Sequence, residues 1–279
     1  MRGCKLPVMI TRRNLLRGAI AGAAGAAVLA RGGRGSQIPP AREANLVLVH
    51  GAWHGAWCWR RVADRLRAAG HRAFAPTLTG VGERRHLLSR DITLRTFYQD
   101  VAEVIACEEL NDVILVGHSF SGIVISGVAD MMPERIKQLV YLDAVLMEPG
   151  TSMLGDVLPP ERAADRRKTA REFSGGLSLP PPHAAALGIT DPADQAWVDR
   201  RLTPMPFGPF GEKAELKGPL GNSLPRVYID CMQPPFAAMD SIKQRYRGRP
   251  GWPFVPLATG HDAMVTAPAE LTAILLRYV

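Results

Sequence analysis

The sequence predicts an α/β fold, a mostly parallel central sheet flanked by helices with an inserted cap. Short runs rich in β-branched residues alternate with amphipathic stretches of helical spacing from residue 45 to 144, and strand-like runs return after 226. That alternation implies parallel strands joined by right-handed crossovers. Between the two blocks, residues 148–224 break the rhythm with prolines at 159, 160, 180–182, 192, 204 and 206. A segment of that size between two strands reads as a cap folded over the strand ends. Trp197, Phe207 and Phe210 within it argue for packing rather than disorder.

Residues 1–30 read as a targeting segment. Arg12 and Arg13 precede a charge-free stretch of Ala, Gly, Ile, Val and Leu at 18–30, an arrangement that resembles a twin-arginine export signal. The resemblance implies the export machinery as a partner and a periplasmic or secreted destination; a basic arm or membrane anchor is the alternative. Met9 is as good a start as Met1, and the small residues near Ala30 suit cleavage. Arg2, Lys5, Arg12, Arg13 and Arg17 supply five of the formal +8 charge, so the remainder carries +3. Nucleic-acid binding, which wants a clustered basic face with interleaved aromatics, is not expected. Residues 31–44, rich in Gly, Pro and Arg, form a linker, and 45–279 suit one sizeable domain. Cys4 lies in the targeting segment, and Cys58, Cys107 and Cys231 are widely spaced, so neither a disulfide framework nor a metal-type pair is predicted.

Within the domain, residues 45–49 (Asn-Leu-Val-Leu-Val) predict a buried strand that ends in His50-Gly51. Residues 57–69 follow as an amphipathic helix closed by Gly70. Residues 71–76 give a strand, 77–91 a loop, and 93–107 a helix through Leu94, Phe97, Val101, Val104 and Ile105. Val113 to Val116 is a buried strand, and Ile123, Val124, Ile125, Val128 and Met131 share broad faces of the helix that follows. Residues 136–144 and, beyond the cap, 226–231 and 252–257 are further strands, and 268–279 a closing helix. Function in such sheets sits at the carboxyl ends of strands. The His50-Gly51 turn, Ser119 and Asp143 all fall there.

Gly117-His118-Ser119-Phe120-Ser121-Gly122 joins a strand to a helix by a sharp turn and resembles the nucleophile elbow Gly-x-Ser-x-Gly of the α/β-hydrolases, with Ser121 in place of the second glycine. A turn without chemistry would carry the same bare pattern; the rest of the chain decides. A serine nucleophile needs a base, and His261, in Ala-Thr-Gly-His-Asp after the last strand, is the histidine of the seven placed to serve. The oxyanion needs two N–H donors, expected from the backbones of Phe120, at the helix start, and Ala52. Gly51 is expected to keep that turn open and, with Trp53 and His118, to line the substrate pocket.

Residues 50–59 (His-Gly-Ala-Trp-His-Gly-Ala-Trp-Cys-Trp), the Ser119 elbow, Val140-Tyr141-Leu142-Asp143-Ala144 and Gly260-His261-Asp262-Ala263-Met264 together resemble the plant methylesterase and hydroxynitrile lyase branch of the α/β-hydrolases, with its bacterial esterase relatives. The resemblance implies a triad whose acid lies just after the strand at 226–231, where this chain has Pro234 and Pro235 instead. Asp143 is the favoured substitute and Asp230 the alternative acid. The branch's lyases place a hydroxyl residue where Gly51 stands and a lysine where Asp262 stands, and a carboxylate there would repel departing cyanide. The expectation is therefore a serine carboxylesterase for small esters with a hydrophobic or aromatic part, without metal or organic cofactor. A lyase-like or other cofactor-free enzyme and a non-catalytic ligand-binding relative are the alternatives.

Overall fold

The computed structural model describes residues 43–279; the expected export segment and residues 31–42 of the linker lie outside the described residues. Eight strands and nine helices organise the described chain, in the order β1 (Asn45–Val49), α1 (Arg60–Ala68), β2 (Arg72–Phe74), α2 (Leu94–Cys107), β3 (Val113–His118), α3 (Ser121–Met131) and β4 (Ile136–Leu142). The inserted segment then contributes α4 (Pro160–Ser174), β5 (Ser178–Leu179), α5 (Pro192–Asp199), β6 (Met205–Pro206) and α6 (Gly208–Gly211). The sheet resumes with β7 (Arg226–Cys231), followed by α7 (Asp240–Tyr246), β8 (Phe254–Leu257), α8 (Ala263–Thr266) and α9 (Pro268–Leu275). The six-stranded sheet has the order β2-β1-β3-β4-β7-β8, every pair parallel.

Period-two alternation along each strand divides the core between the two faces. Leu46, Leu48, Ile114 and Val116 pack with Trp59, Val62 and Leu66 of the α1 side and Leu271, Ile274 and Leu275 of α9. Val47, Val49, Val113 and Leu115 point the other way, onto Phe97, Val101 and Ile105 of α2 and Val124, Ile125 and Val128 of α3. All these side chains are buried, and each such residue contributes about 1.5–3 kcal/mol through removal of apolar surface from water. Thr93 caps α2 by accepting from the Thr96 N–H, so this helix begins where the sequence predicts.

The structure departs from expectation in two places. The segment between β4 and β7, expected to lack strands, holds the short antiparallel pair β5–β6, whose two-residue strands are too brief for a periodic signal. Helix α7 was absent from the sequence reading, although Met239, Ile242 and Tyr246 are buried at helical spacing. Among the described residues no helix is long and apolar enough to cross a membrane, and Cys58, Cys107 and Cys231 are free thiols.

Candidate active site

Ser119 follows β3 directly and has φ +53°, the left-handed region that a non-glycine residue adopts only when its surroundings fix it. Those surroundings are hydrogen bonds to the end of β4: the Ser119 N–H donates to the Leu142 carbonyl at 3.1 Å, and the Val145 N–H donates to the Ser119 carbonyl at 2.9 Å. Ser121 does more than fit the second glycine position. Its hydroxyl donates to the His50 carbonyl, tying the elbow to the end of β1. The close approach to the β4 end falls instead to Gly122, where any Cβ would strike the Val145 carbonyl.

His261 bridges the serine and an acid. Its Nε2 lies 2.9 Å from Ser119 Oγ, and its Nδ1 lies 2.6 Å from Asp143 Oδ2, the geometry in which Nδ1–H donates to the carboxylate and Nε2 accepts from the serine. The imidazole stacks on Phe236 at 4.1 Å between ring centroids. Asp143 is fully buried immediately after β4, at φ +42°. The alternative acid, Asp230, does not reach the imidazole: its carboxylate pairs with Lys243 Nζ at 2.9 Å and with Arg247. Lys243 Nζ also lies 2.6 Å from Asp143 Oδ1 and donates to the Cys231 carbonyl at 3.1 Å. Burial opposes the ammonium, but the two carboxylates raise its pKa and keep it charged. Lys243 went unrecognised in the sequence because its helix did.

A pocket opens on Ser119, walled by Ala52, Trp53, Phe120 and Val145 from the sheet side and by Met153, Leu158 and Phe210 from the insert. Phe236, Ala238 and Met239 close another side, and Arg162 and Arg166 of α4 complete it, with the Arg166 guanidinium 5.5 Å from the Trp53 ring centre. Ala52 and Phe120 both border this space beside Ser119, as oxyanion donors must. Trp53 lines it as expected, but Gly51 and His118 do not. A Cβ on Gly51 would come 2.8 Å from both Ser119 Cβ and His118 Nδ1, so this glycine lets the β1 turn pack on the elbow. His118 is buried behind the imidazole and donates from Nε2 to the His261 carbonyl at 3.1 Å. Burial, with His261 close by, pushes its pKa well below the usual histidine range, so it is neutral.

Asp262 also differs from its expected part. Its carboxylate is fully buried and accepts from His54 Nε2 at 3.0 Å. Burial works against both charges, yet each raises the other's ionisation: His54 has its pKa raised and Asp262 has its pKa lowered. Held by His54, Asp262 does not line the pocket that opens on Ser119. His118, His261 and Asp262 bring ligand-type atoms within 4.8 Å of one another, but His261 has both ring nitrogens engaged, Nδ1 by Asp143 and Nε2 by Ser119, and has none left to offer. No metal role follows from this cluster.

A strand-elbow-helix serine, an imidazole after the last strand and a pocket roofed by an insert define an α/β-hydrolase site. A family model described as the alpha/beta hydrolase family matches residues 46–274, and the chain belongs to this family. It is 44% identical over 248 residues to a carbendazim hydrolyzing esterase of Nocardioides sp., across 82% of this chain and 96% of that protein. It is 32% identical to methyl jasmonate esterase 1 of Vitis vinifera across 50% of this chain and 55% of that one. An alpha-hydroxynitrile lyase of Arabidopsis thaliana is 40% identical across 38% of this chain and 41% of its own. Among solved structures, an extracellular alpha/beta-hydrolase from a Paenibacillus species, described as sharing structural and functional homology with tobacco salicylic acid binding protein 2, matches with a TM-score of 0.73. That match has 25% identity and covers 84% of this chain and 98% of the other. The branch expected from the sequence is thereby borne out, and the chain is a carboxylic ester hydrolase.

Proposed function

We propose that the protein is a serine carboxylesterase acting on small esters whose acyl or alcohol part is hydrophobic or aromatic. In this reading Ser119 Oγ attacks the ester carbonyl while its proton passes to Nε2 of His261. Asp143 selects the imidazole tautomer and stabilises the imidazolium that forms. The backbone N–H groups of Ala52 and Phe120 receive the oxyanion, and α3 begins just after Phe120, so its dipole favours the negative charge. His261 returns the proton to the departing alcohol, then activates a water that releases the acyl group from Ser119.

The observation that carries the reading is the chain of hydrogen bonds from Ser119 through His261 to Asp143, at 2.9 and 2.6 Å, opening on a pocket of aromatic and aliphatic side chains. Trp53, Phe120, Phe210 and Phe236 favour a flat apolar group. The test is hydrolysis of p-nitrophenyl and methyl aryl esters by the purified protein beside Ser119→Ala. Turnover that the variant loses is expected. A folded wild type inactive on every ester, or an active Ser119→Ala, would overturn the assignment.

We further propose export by the twin-arginine route to the periplasm or medium, on the strength of Arg12, Arg13 and the charge-free stretch after them. Replacing both arginines by lysine should retain the protein in the cytoplasm. Unchanged export of that variant would refute the route.

A further inference from the structure

Behind Asp143 the protein buries a second carboxylate and supplies a cation between the two. Asp143 and Asp230 are 0% and 2% exposed, and the Lys243 ammonium sits between them at 2.6 and 2.9 Å. Arg247, on the outer side, pairs with Asp230 alone. Two carboxylates and two cations thus form a charge-balanced group, of which only Asp143 touches His261.

We propose that Lys243 is a positioning residue that sets the basicity of His261: with Arg247 it balances the two buried carboxylates, so that no net negative charge stands behind the imidazole. The proposal rests on the Ser119–His261–Asp143 reading. A general base works only while unprotonated, and each uncompensated negative charge nearby holds its proton more firmly. Asp143 is needed to stabilise the imidazolium during turnover. Without Lys243, Arg247 alone would face the two carboxylates, and the excess negative charge behind Asp143 would favour the imidazolium over the free base that takes the serine proton. Lys243 also gives Asp143 Oδ1 a partner, leaving Oδ2 for Nδ1.

The other groups facing this centre leave the balance unchanged near neutral pH. His118 is neutral, and Asp262 pairs with His54 rather than with any member of the Lys243 group. The Cys231 thiol and the Tyr228 phenol are pushed up, first by burial and then by Asp143, and remain protonated. The acidic limb of kcat/KM against pH therefore reports the charge balance around His261.

The test is that limb, measured on the full chain for a series of variants. Asp230→Asn leaves one cation in excess and should move the limb down by about half to one pH unit, with the plateau kept within about threefold. Lys243→Met leaves one carboxylate in excess and should move it up by a similar amount. Lys243→Arg should hold the wild-type position, and Lys243→Met with Asp230→Asn should return to it. A purely architectural lysine would lower the plateau without moving the limb. An unmoved limb in Asp230→Asn, or a shift upward, overturns the proposal, and this variant leaves no buried charge orphaned should Lys243→Met fail to fold. Failure of the triad reading would show separately, as turnover surviving in Ser119→Ala or Asp143→Asn.

Discussion

His54 and Asp262 form a buried ion pair, Nε2 to Oδ2 at 3.0 Å, that anchors the loop carrying His261 to the turn after β1. His54 has a raised pKa in the folded protein, so its contribution to stability is full below its ordinary value of 6.5 and is lost as pH rises through the folded value. Asp262 has a lowered one, so its contribution is full above its ordinary value of 3.8 and is lost as pH falls through the folded value. The pair therefore acts fully from about pH 4 to 6.5. Asp262→Asn should cost about 3 kcal/mol in urea unfolding at pH 6, and the deficit should shrink toward pH 9. A deficit that is flat with pH would show that the pair is not ionised.

Asp143→Asn should leave KM within a few-fold and lower kcat by about 10³ to 10⁴, because asparagine presents the imidazole with the wrong tautomer. Asp230→Asn should leave the kcat plateau near wild type, since Lys243 and Arg247 rather than His261 hold that carboxylate. Steady-state kinetics on one good ester decides the matter. The reverse ranking would make Asp230 the acid.

Ser121→Ala should cost about 1–2 kcal/mol, because it leaves the buried His50 carbonyl unpaired. Gly122→Ala should be worse, about 3 kcal/mol or loss of folding, since the neighbour its methyl meets is backbone. Thermal unfolding of the two variants checks the order. Equal effects would mean that the elbow can move away from β4.

The strands of the six-stranded sheet were legible from residue type, β5 and β6 of the insert were not, and β7 begins and ends where the sequence predicts, at Arg226–Cys231. Ser119 and His261 were legible because each follows a strand, Ser119 two residues after Gly117 and His261 directly after Gly260. Asp143 was readable as a candidate only, because two carboxylates ended neighbouring strands and their pairing depends on where α7 puts a lysine. That helix is seven residues long, with two basic residues, Lys243 and Arg245, in its last turn, so its apolar spacing was faint. Gly51 and His118 were misplaced for a different reason: motif position gives proximity to Ser119 but not the side of the backbone. Both pack under the elbow, while the pocket lies above it.

Phe210 makes the aromatic preference testable without touching the chemistry. The insert delivers it to the pocket through α6, where its ring lies 5.0 Å from that of Phe120 and 6.1 Å from that of Phe207. Phe120 is fixed by the elbow, so Phe210 is the wall that the insert alone supplies. Truncation to alanine removes one face of contact for a flat ring while leaving Ser119, His261 and the two oxyanion donors in place. Lost contact of this kind is worth about 1–3 kcal/mol. Phe210→Ala should therefore lower kcat/KM for aryl esters by about tenfold to a hundredfold, mainly through KM, and change that for a short aliphatic ester such as methyl butyrate by less than about threefold. Parallel kinetics on the two substrates gives the comparison. An equal loss on both would assign Phe210 to holding the insert together, and the aromatic preference would then have to rest on Trp53 and Phe236.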